Sequence, residues 1–180
     1  MKILFINGSL RDNSQTDAII RYFSSLLDKD TRQVYWSIRD YPLPFMDPET
    51  YGGEIDCHSN ENVRRFVAAI QDAEVIFMAS PTYHGTISGA FKNALDHLQK
   101  GVFSGKSVIV ASTGGGIRSS TQTCDAIRAV VRALGANCLI EHIASGGPDF
   151  TQRDGRTELI EPGVQLRCQS ALDELLHLAY

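Results

Sequence analysis

Hydrophobic residues along the chain follow two patterns, short runs rich in apolar and β-branched residues and longer segments with a helical period. The short runs predict strands, and apolar residues repeated every three or four positions predict helices with one buried face. The predicted strands cover residues 2–6, 33–38, 75–79, 107–112 and 138–144. The predicted helices cover residues 16–27, 60–72, 89–98, 120–134 and 164–179. Strands and helices therefore alternate, and we expect long irregular segments at residues 39–59 and 146–163.

Successive strand–helix units predict a doubly wound parallel sheet with helices on both faces, because right-handed crossovers cover the two sides in turn. For five predicted strands we expect the flavodoxin-like order 2-1-3-4-5, in a single domain that spans residues 1–180. Ligands of such sheets bind at the carboxyl ends of the strands, beside the point where the strand order reverses. The predicted ligand site is therefore formed by the loops at residues 7–16, 80–88 and 112–119.

Composition and charge exclude several classes of protein. With 43% hydrophobic and 21% charged residues, the 180-residue chain has enough apolar surface for a globular core and is not intrinsically disordered. The net charge of −4 argues against nucleic acid as a partner, because phosphate contacts normally need a basic face. No apolar stretch reaches the ~18 residues of a membrane span and no leader is recognisable, so we expect a cytoplasmic protein without a membrane partner.

Four cysteines, Cys57, Cys124, Cys138 and Cys168, lie far apart in the sequence. None belongs to a C-x-x-C pair or stands at zinc-finger spacing from a histidine. We therefore expect reduced, mostly structural thiols and no metal site.

The loop after the first predicted strand, residues 8–16, is rich in hydroxyl groups. Ser9, Ser14 and Thr16, together with the amides at the N-terminus of the following helix, are suited to surround a phosphate monoester without a metal, and Arg11 adds a charged donor. The alternative is an ordinary helix start capped by serine. The G-x-G-x-x-G pattern is absent, which disfavours a dinucleotide held tightly across a Rossmann crevice.

The second loop begins with PTYHG at residues 81–85, where proline and glycine bracket a sharply bent segment. Its backbone groups and the ring of Tyr83 suit a flat heteroaromatic ligand with polar edges. For His84 the alternative to a role at the site is that of a hydrogen-bonded structural histidine. The third loop, TGGG at residues 113–116, lets a ligand approach the backbone closely, although a purely conformational reason for its glycines stays open.

Three segments carry a resemblance to a known family: GSLRDNS at residues 8–14, PTYHGTISGAFKNALD at residues 81–96 and STGGG at residues 112–116. Over residues 1–146 the chain resembles the NAD(P)H-dependent FMN reductase family of flavodoxin-like proteins. The resemblance implies that the FMN phosphate is bound by Ser9, Arg11, Ser14, Gln15 and Thr16. It implies a flavin-ring site at Pro81, Thr82, Tyr83, His84 and Gly85, completed by Thr113, Gly114, Gly115 and Gly116.

The same resemblance implies an oxidoreductase activity with FMN and NADPH or NADH as cofactors. The nicotinamide passes a hydride to flavin N5, and a small-molecule electron acceptor such as free flavin, a quinone or an azo compound follows it. The flavin carries the chemistry, so no side chain is expected to act as a catalytic acid or base. Arg118, just beyond the glycine loop, is the candidate contact for the 2′-phosphate of NADPH.

Members of this family are typically homodimers or homotetramers. The resemblance places residues 39–59 and the SGAFKN segment at residues 88–93 near the subunit interface. Two alternatives to a reductase stay open at this point. A flavodoxin-type electron carrier binds FMN without direct NAD(P)H turnover, and a flavin-free scaffold keeps only the fold.

Overall fold

A computed structural model describes residues 1–49 and 58–178 of the chain. Its strands are β1 (Lys2–Asn7), β2 (Arg32–Ser37), β3 (Val75–Tyr83), β4 (Thr86–Ile87), β5 (Ser107–Gly114), β6 (Ile143–Gly146), β7 (Phe150–Arg153) and β8 (Arg156–Leu159). Its helices are α1 (Gln15–Leu26), α2 (Glu61–Asp72), α3 (Gly89–Asp96), α4 (Ile117–Ala133) and α5 (Pro162–Leu178). The five predicted helices and the first four predicted strands are confirmed, with ends that differ by a few residues.

The central sheet has the strand order β2-β1-β3-β5-β6, and neighbouring strands in this path run parallel. Because β5 and β6 correspond to the predicted fourth and fifth strands, the expected order is confirmed. The short strand β4, which the sequence did not predict, pairs antiparallel with the end of β3. The register aligns Asn7 with Ala79 and Pro81 with Thr113, so the carboxyl ends of β1, β3 and β5 lie side by side.

Helices cover both faces of the sheet, and each face has its own hydrophobic cluster. Alternate residues of β3 divide between the two clusters: Ile76 and Met78 pack with α2, α3 and α4, whereas Phe77 packs with α1 and α5. On the second face, the ring centroids of Phe77 and Phe23 are 4.8 Å apart. The apolar run that predicted this strand is therefore buried on both sides, as a central parallel strand requires.

Three helices start at a polar side chain that caps the first turn. Ser14, Asn60 and Ser88 precede α1, α2 and α3, and each side chain accepts a hydrogen bond from the backbone N–H three residues further on. Such bonds satisfy first-turn amides that have no partner inside the helix. Two of these caps, Ser14 and Ser88, lie in the loops that the sequence predicts as the ligand site.

The last strand of the sheet differs from the prediction over residues 138–144, because β6 begins only at Ile143. Cys138 forms an isolated bridge with Val108, after which the chain leaves the ladder. The guanidinium of Arg128 donates to the carbonyls of Leu139 and Ile140, both at 2.7 Å. The carboxylate of Glu174 accepts from the amides of residues 140 and 141. Side chains of α4 and α5 thus take the backbone groups that a strand would have used.

The prediction of an irregular segment at residues 146–163 is wrong over its middle part. Strands β7 and β8 form an antiparallel hairpin there. The turn residues Asp154 and Gly155 have φ angles of 50° and 75°. Positive φ at both central residues defines the turn type that joins two-residue hairpins, for which Asp-Gly is a preferred sequence.

The other long segment agrees with the prediction where it is described. Residues 39–49 and 58–59 contain no helix or strand, and residues 50–57, with Cys57, lie outside the described part of the chain. Among the helices of the described ranges, none combines the length and the apolar character that crossing a membrane would need.

Candidate functional site

The three predicted loops meet at the carboxyl edge of the sheet and contact one another. The hydroxyl oxygens of Thr16 and Thr113 lie 3.4 Å apart and join the first loop to the third. The hydroxyl oxygens of Thr82 and Ser112 lie 2.9 Å apart and join the second to the third. These contacts are buried or partly buried, so the three loops form one surface.

Backbone contacts at Gly8 join the first loop to the second. Its N–H donates to the carbonyl of Ala79 at 2.8 Å, and its carbonyl accepts from the Ser88 hydroxyl at 2.7 Å. A Cβ at position 8 would lie 2.8 Å from Cγ of Phe91, closer than real Cβ contacts come. Only glycine therefore fits at this position without a shift of the buried Phe91 ring.

The first loop presents several unused hydrogen-bond donors. Ser9 accepts from the amide of Arg11 and Ser14 accepts from the amide of Asp17, each at 3.1 Å, but neither hydroxyl donates to a partner within the described residues. In the same part of the chain, the amides of Gln15 and Thr16 at the start of α1 have no acceptor. Ser14 is thus the helix cap that the alternative interpretation foresaw, and its hydroxyl proton remains available to a ligand.

A chain of polar side chains behind the first loop was not predicted from the sequence. The Asn7 side-chain amide donates to the Tyr35 hydroxyl at 2.8 Å, and this hydroxyl donates to Asp17 at 2.7 Å. Burial raises the pKa of Tyr35 and keeps the phenol protonated as a donor. Asp17 also forms an ion pair with Arg21. In the sequence, Asn7 stands out as a polar residue at the end of an apolar strand, and the structure shows that it is buried.

A polar cavity of about 360 Å³ adjoins this chain, between the first loop, the end of β2 and the β7–β8 turn. Arg39 at its edge forms ion pairs with Asp12 and Asp40. Hydrogen bonds from Arg39 lower the pKa of both carboxyl groups, which therefore stay ionised. Arg11, which also lines the cavity, is exposed and has no ion pair among the residues that the structure describes.

The second loop forms a tight turn between β3 and β4. His84 and Gly85 have φ angles of 51° and 84°, so the chain reverses within two residues and presents Tyr83 half exposed. Pro81 is buried and belongs to β3. The His84 side chain is exposed and forms no hydrogen bond within the described residues, so the alternative of a hydrogen-bonded structural histidine is not observed.

The glycines of the third loop have two different roles. A Cβ on Gly114 would lie 2.9 Å from Cβ of Thr82, so this glycine permits the second and third loops to touch. A Cβ on Gly115 or Gly116 would meet nothing within 4 Å. The backbone at these two positions is therefore open to a ligand. Gly116 also caps α4 without a side-chain hydrogen bond, which leaves the amides of its first turn available.

Arg118 lies exposed in the first turn of α4, directly after the glycine loop.

Cys124, Cys138 and Cys168 are free, and burial raises their pKa values to about 12, 11 and 12. These thiols are therefore protonated and unreactive near neutral pH. The described residues contain no cluster of metal-ligating side chains.

Comparisons with known proteins identify the family of this chain. A family model described as NADPH-dependent FMN reductase matches residues 1–147. The FMN-dependent NADPH-azoreductase of Staphylococcus aureus (strain USA300) is 32% identical over 178 residues, which cover 98% of this chain and 94% of the relative.

Solved structures show the same fold. An oxidoreductase from Corynebacterium diphtheriae superposes with a TM-score of 0.77 at 20% identity, covering 98% of this chain and 95% of the other. The flavoenzyme FerB of Paracoccus denitrificans, an NAD(P)H:(acceptor) oxidoreductase, superposes with a TM-score of 0.74 at 16% identity, covering 98% and 97%. At these identities the likeness establishes the architecture alone.

Proposed function

The chain belongs to the NADPH-dependent FMN reductase family, and from this premise we propose that it holds FMN across the three loops at the carboxyl edge of the sheet. It is an FMN-dependent NAD(P)H oxidoreductase. When bound, FMN supplies the redox chemistry between the nicotinamide and the electron acceptor. The observation that carries the proposed site is the direct contact between all three loops, through Gly8, Thr82 and Thr113.

The first loop fits the phosphate of FMN. The amides of Gln15 and Thr16 stand at the positive end of α1, and the hydroxyls of Ser9 and Ser14 have protons to donate. Arg11 adds a cation that no carboxylate neutralises within the described residues. A dianionic phosphate matches this donor set, whereas a neutral ligand would leave it unsatisfied.

The second and third loops fit a flat ring. Tyr83, His84 and Gly85 form an exposed turn on one side, and the backbone of Gly115 and Gly116 is open on the other. The role of these residues is to orient the ring and to exclude water from one of its faces. In this proposal the amides at the start of α4, which no side chain caps, hydrogen-bond the polar edge of the ring and stabilise negative charge there.

We propose that the whole chain forms a single FMN-binding domain. The family model ends at residue 147, but α5 lies beyond that point and packs into the same hydrophobic cluster as β1, β3 and α1. Cys168 and Leu172 of α5 are buried together with Phe5 and Phe77 of the sheet. The C-terminal helix is thus part of the core that positions the site.

We propose azo compounds as the electron-acceptor class, because the relative from Staphylococcus aureus is named an azoreductase. A cytoplasmic location is proposed from the three free thiols of the described residues, which suit a reducing compartment. Both proposals are tested on the purified enzyme and in cell fractions: an azo dye should be decolourised with NADPH consumption, and the protein should appear in the cytoplasmic fraction.

We propose a homodimer or homotetramer whose interface includes residues 39–49 and α3. The two segments already contact each other: the Met46 amide donates to Asn93, and Asn93 donates to the carbonyl of Pro44 at 2.8 Å. Phe45, between these contacts, is 91% exposed. Because aromatic residues are enriched at protein–protein interfaces, this surface is the one that we propose a second subunit covers.

Anaerobic mixing of the FMN-loaded protein with NADPH tests the proposed function. Rapid loss of the yellow flavin colour, with one NADPH consumed per flavin, is the expected result. Persistent colour would identify a flavodoxin-type carrier instead. A protein that takes up no FMN would be the flavin-free scaffold. An azo dye, a quinone and free FMN are then compared as acceptors under anaerobic conditions, and the acceptor is the compound that supports the fastest NADPH consumption.

The preference for NADPH is expected to depend on Arg118. Replacing Arg118 by alanine should raise the KM for NADPH by about tenfold, the effect of losing one hydrogen bond to a charged group, and should leave the KM for NADH unchanged. Steady-state kinetics with both nucleotides measure this change. The matched control is Arg132→Ala, an exposed arginine in the last turn of the same helix. An unchanged ratio of the two KM values in Arg118→Ala would remove Arg118 from the nucleotide site.

A further inference from the structure

The β7–β8 hairpin is hydrogen-bonded to the first loop through one residue, Asn13. The Asn13 side chain donates to the carbonyl of Gly155 at 2.7 Å and accepts from the amide of Thr157 at 2.8 Å. The Thr157 hydroxyl donates to the Asn13 carbonyl at 2.6 Å. Three hydrogen bonds therefore join segments that are more than 140 residues apart in the sequence.

These bonds act on a residue with an unusual backbone. Asn13 has a φ of 47°, in the left-handed region. Residues other than glycine rarely adopt this conformation, although asparagine tolerates it better than most. It immediately precedes Ser14, the cap of α1, and the free amides of Gln15 and Thr16. The hairpin therefore holds the backbone at the point that sets the direction of the proposed phosphate donors.

The contact is partly buried on the hairpin side, and the neighbours of the Thr157 hydroxyl show which way it donates. Thr157 is 4% exposed, and its hydroxyl oxygen accepts from the side chain of Gln152 at 2.7 Å. The hydroxyl proton is therefore directed at the Asn13 carbonyl. A second link runs through Arg21, which donates to the Thr157 carbonyl at 2.5 Å and forms an ion pair with Asp17 in the first turn of α1.

We propose that the β7–β8 hairpin is a positioning element for the FMN phosphate, which acts by holding Asn13 and thereby the donors of residues 14–16. This inference rests on the proposed function. It assigns a part in cofactor retention to a segment beyond residues 1–147, the part of the chain that the family model matches. Asn13 and Thr157 are positioning residues, because they shape the phosphate site without belonging to its donor set.

A hairpin that only stabilises the fold would make a different prediction, and riboflavin separates the two. Riboflavin has the ring of FMN but lacks the phosphate. If the hairpin positions the phosphate donors, loosening it weakens FMN binding and spares riboflavin binding. If the hairpin only stabilises the fold, both ligands lose affinity together.

The test uses the flavin-free full chain titrated with FMN and with riboflavin, followed by flavin fluorescence. Thr157→Val removes the hydroxyl that donates to Asn13, and Asn13→Gly removes the Asn13 side chain while tolerating the positive φ. The matched control is Thr151→Val, the same substitution on β7, at a threonine whose side chain forms no hydrogen bond within the described residues. We expect each of the first two variants to lower the ratio of FMN to riboflavin affinity by about tenfold, mostly through faster FMN release.

The outcomes are distinct. The inference is supported if the ratio of FMN to riboflavin affinity falls in Thr157→Val and Asn13→Gly while Thr151→Val keeps the ratio of the wild-type protein. An unchanged ratio, or a parallel loss of both ligands, overturns it while leaving the proposed function intact. If the wild-type protein binds neither ligand, or binds FMN no better than riboflavin, both the proposed phosphate site and the inference are refuted.

Discussion

Replacing Gly8 by alanine is expected to lower the free energy of unfolding by about 2 kcal/mol, within the range for overpacking a dense core, and to weaken FMN binding by at least about tenfold. The added Cβ would lie 2.8 Å from Cγ of Phe91 and 3.1 Å from the carbonyl oxygen of Ala79. Neither neighbour is free to move. The Phe91 ring is completely buried, and hydrogen bonds on both sides of Gly8 hold its backbone against β3 and the start of α3.

Chemical denaturation and an FMN titration measure the two effects of Gly8→Ala. The control is Gly89→Ala, at the first residue of α3, where an added Cβ meets nothing within 4 Å. There we expect unchanged stability or a gain of up to about 1 kcal/mol, since alanine is the better helix former. If both variants behaved alike, the close contact between Gly8 and Phe91 would not exist in solution.

Replacing Ser88 by alanine should cost about 3 kcal/mol of stability, because one hydroxyl caps a helix and satisfies a buried carbonyl. Its oxygen accepts from the Phe91 amide at 3.1 Å, and its proton goes to the Gly8 carbonyl at 2.7 Å. Ser88 is 2% exposed, so water cannot take the place of either bond. FMN affinity should fall as well, because the same hydroxyl joins the first and second loops.

Ser25→Ala provides the comparison for Ser88→Ala. The Ser25 hydroxyl also donates to a backbone carbonyl, that of Tyr22 at 2.6 Å, but it does so on the exposed face of α1. We expect a change of at most about 0.5 kcal/mol there, as for most surface substitutions. Denaturant unfolding of both variants measures the two losses of free energy of unfolding. Equal losses would show that the buried contacts of Ser88 stabilise the fold no more than the exposed contact of Ser25.

The sequence was sufficient to predict the sheet order and the meeting of the three loops at its carboxyl edge. Continuous apolar runs mark strands that are buried on both faces, and β3 is such a strand. In the strand order β2-β1-β3-β5-β6, the carboxyl ends of β1, β3 and β5 are neighbours, so the loops that follow these strands must meet. Which residues bind FMN remains a proposal that rests on the family resemblance and on the geometry of these loops.

The features that were missed depend on partners distant in the sequence. Strand β6 starts late because Arg128 and Glu174 bind the preceding backbone, and no local pattern indicates such contacts. The Asn7 side chain finds its partner 28 residues away, in Tyr35. Both interactions follow from tertiary packing.

The β7–β8 hairpin was missed for a different reason. Its Asp-Gly turn was visible in the sequence, but its strands FTQR and RTEL lack the alternation of apolar and polar residues that marks a half-buried strand. Their polar side chains suit a hairpin that is held by hydrogen bonds to the first loop, chiefly through Asn13. The turn pattern alone therefore did not predict the two strands.

The proposed site makes a definite prediction about where FMN binds, and a crystal structure of the FMN complex measures it. We expect phosphate oxygens within about 3.2 Å of the amide nitrogens of Gln15 and Thr16, the distance of a normal hydrogen bond. The flavin ring should lie against both residues 83–85 and residues 114–116. A phosphate bound away from the first loop, or a ring that touches only one of the two other loops, would contradict the proposed site.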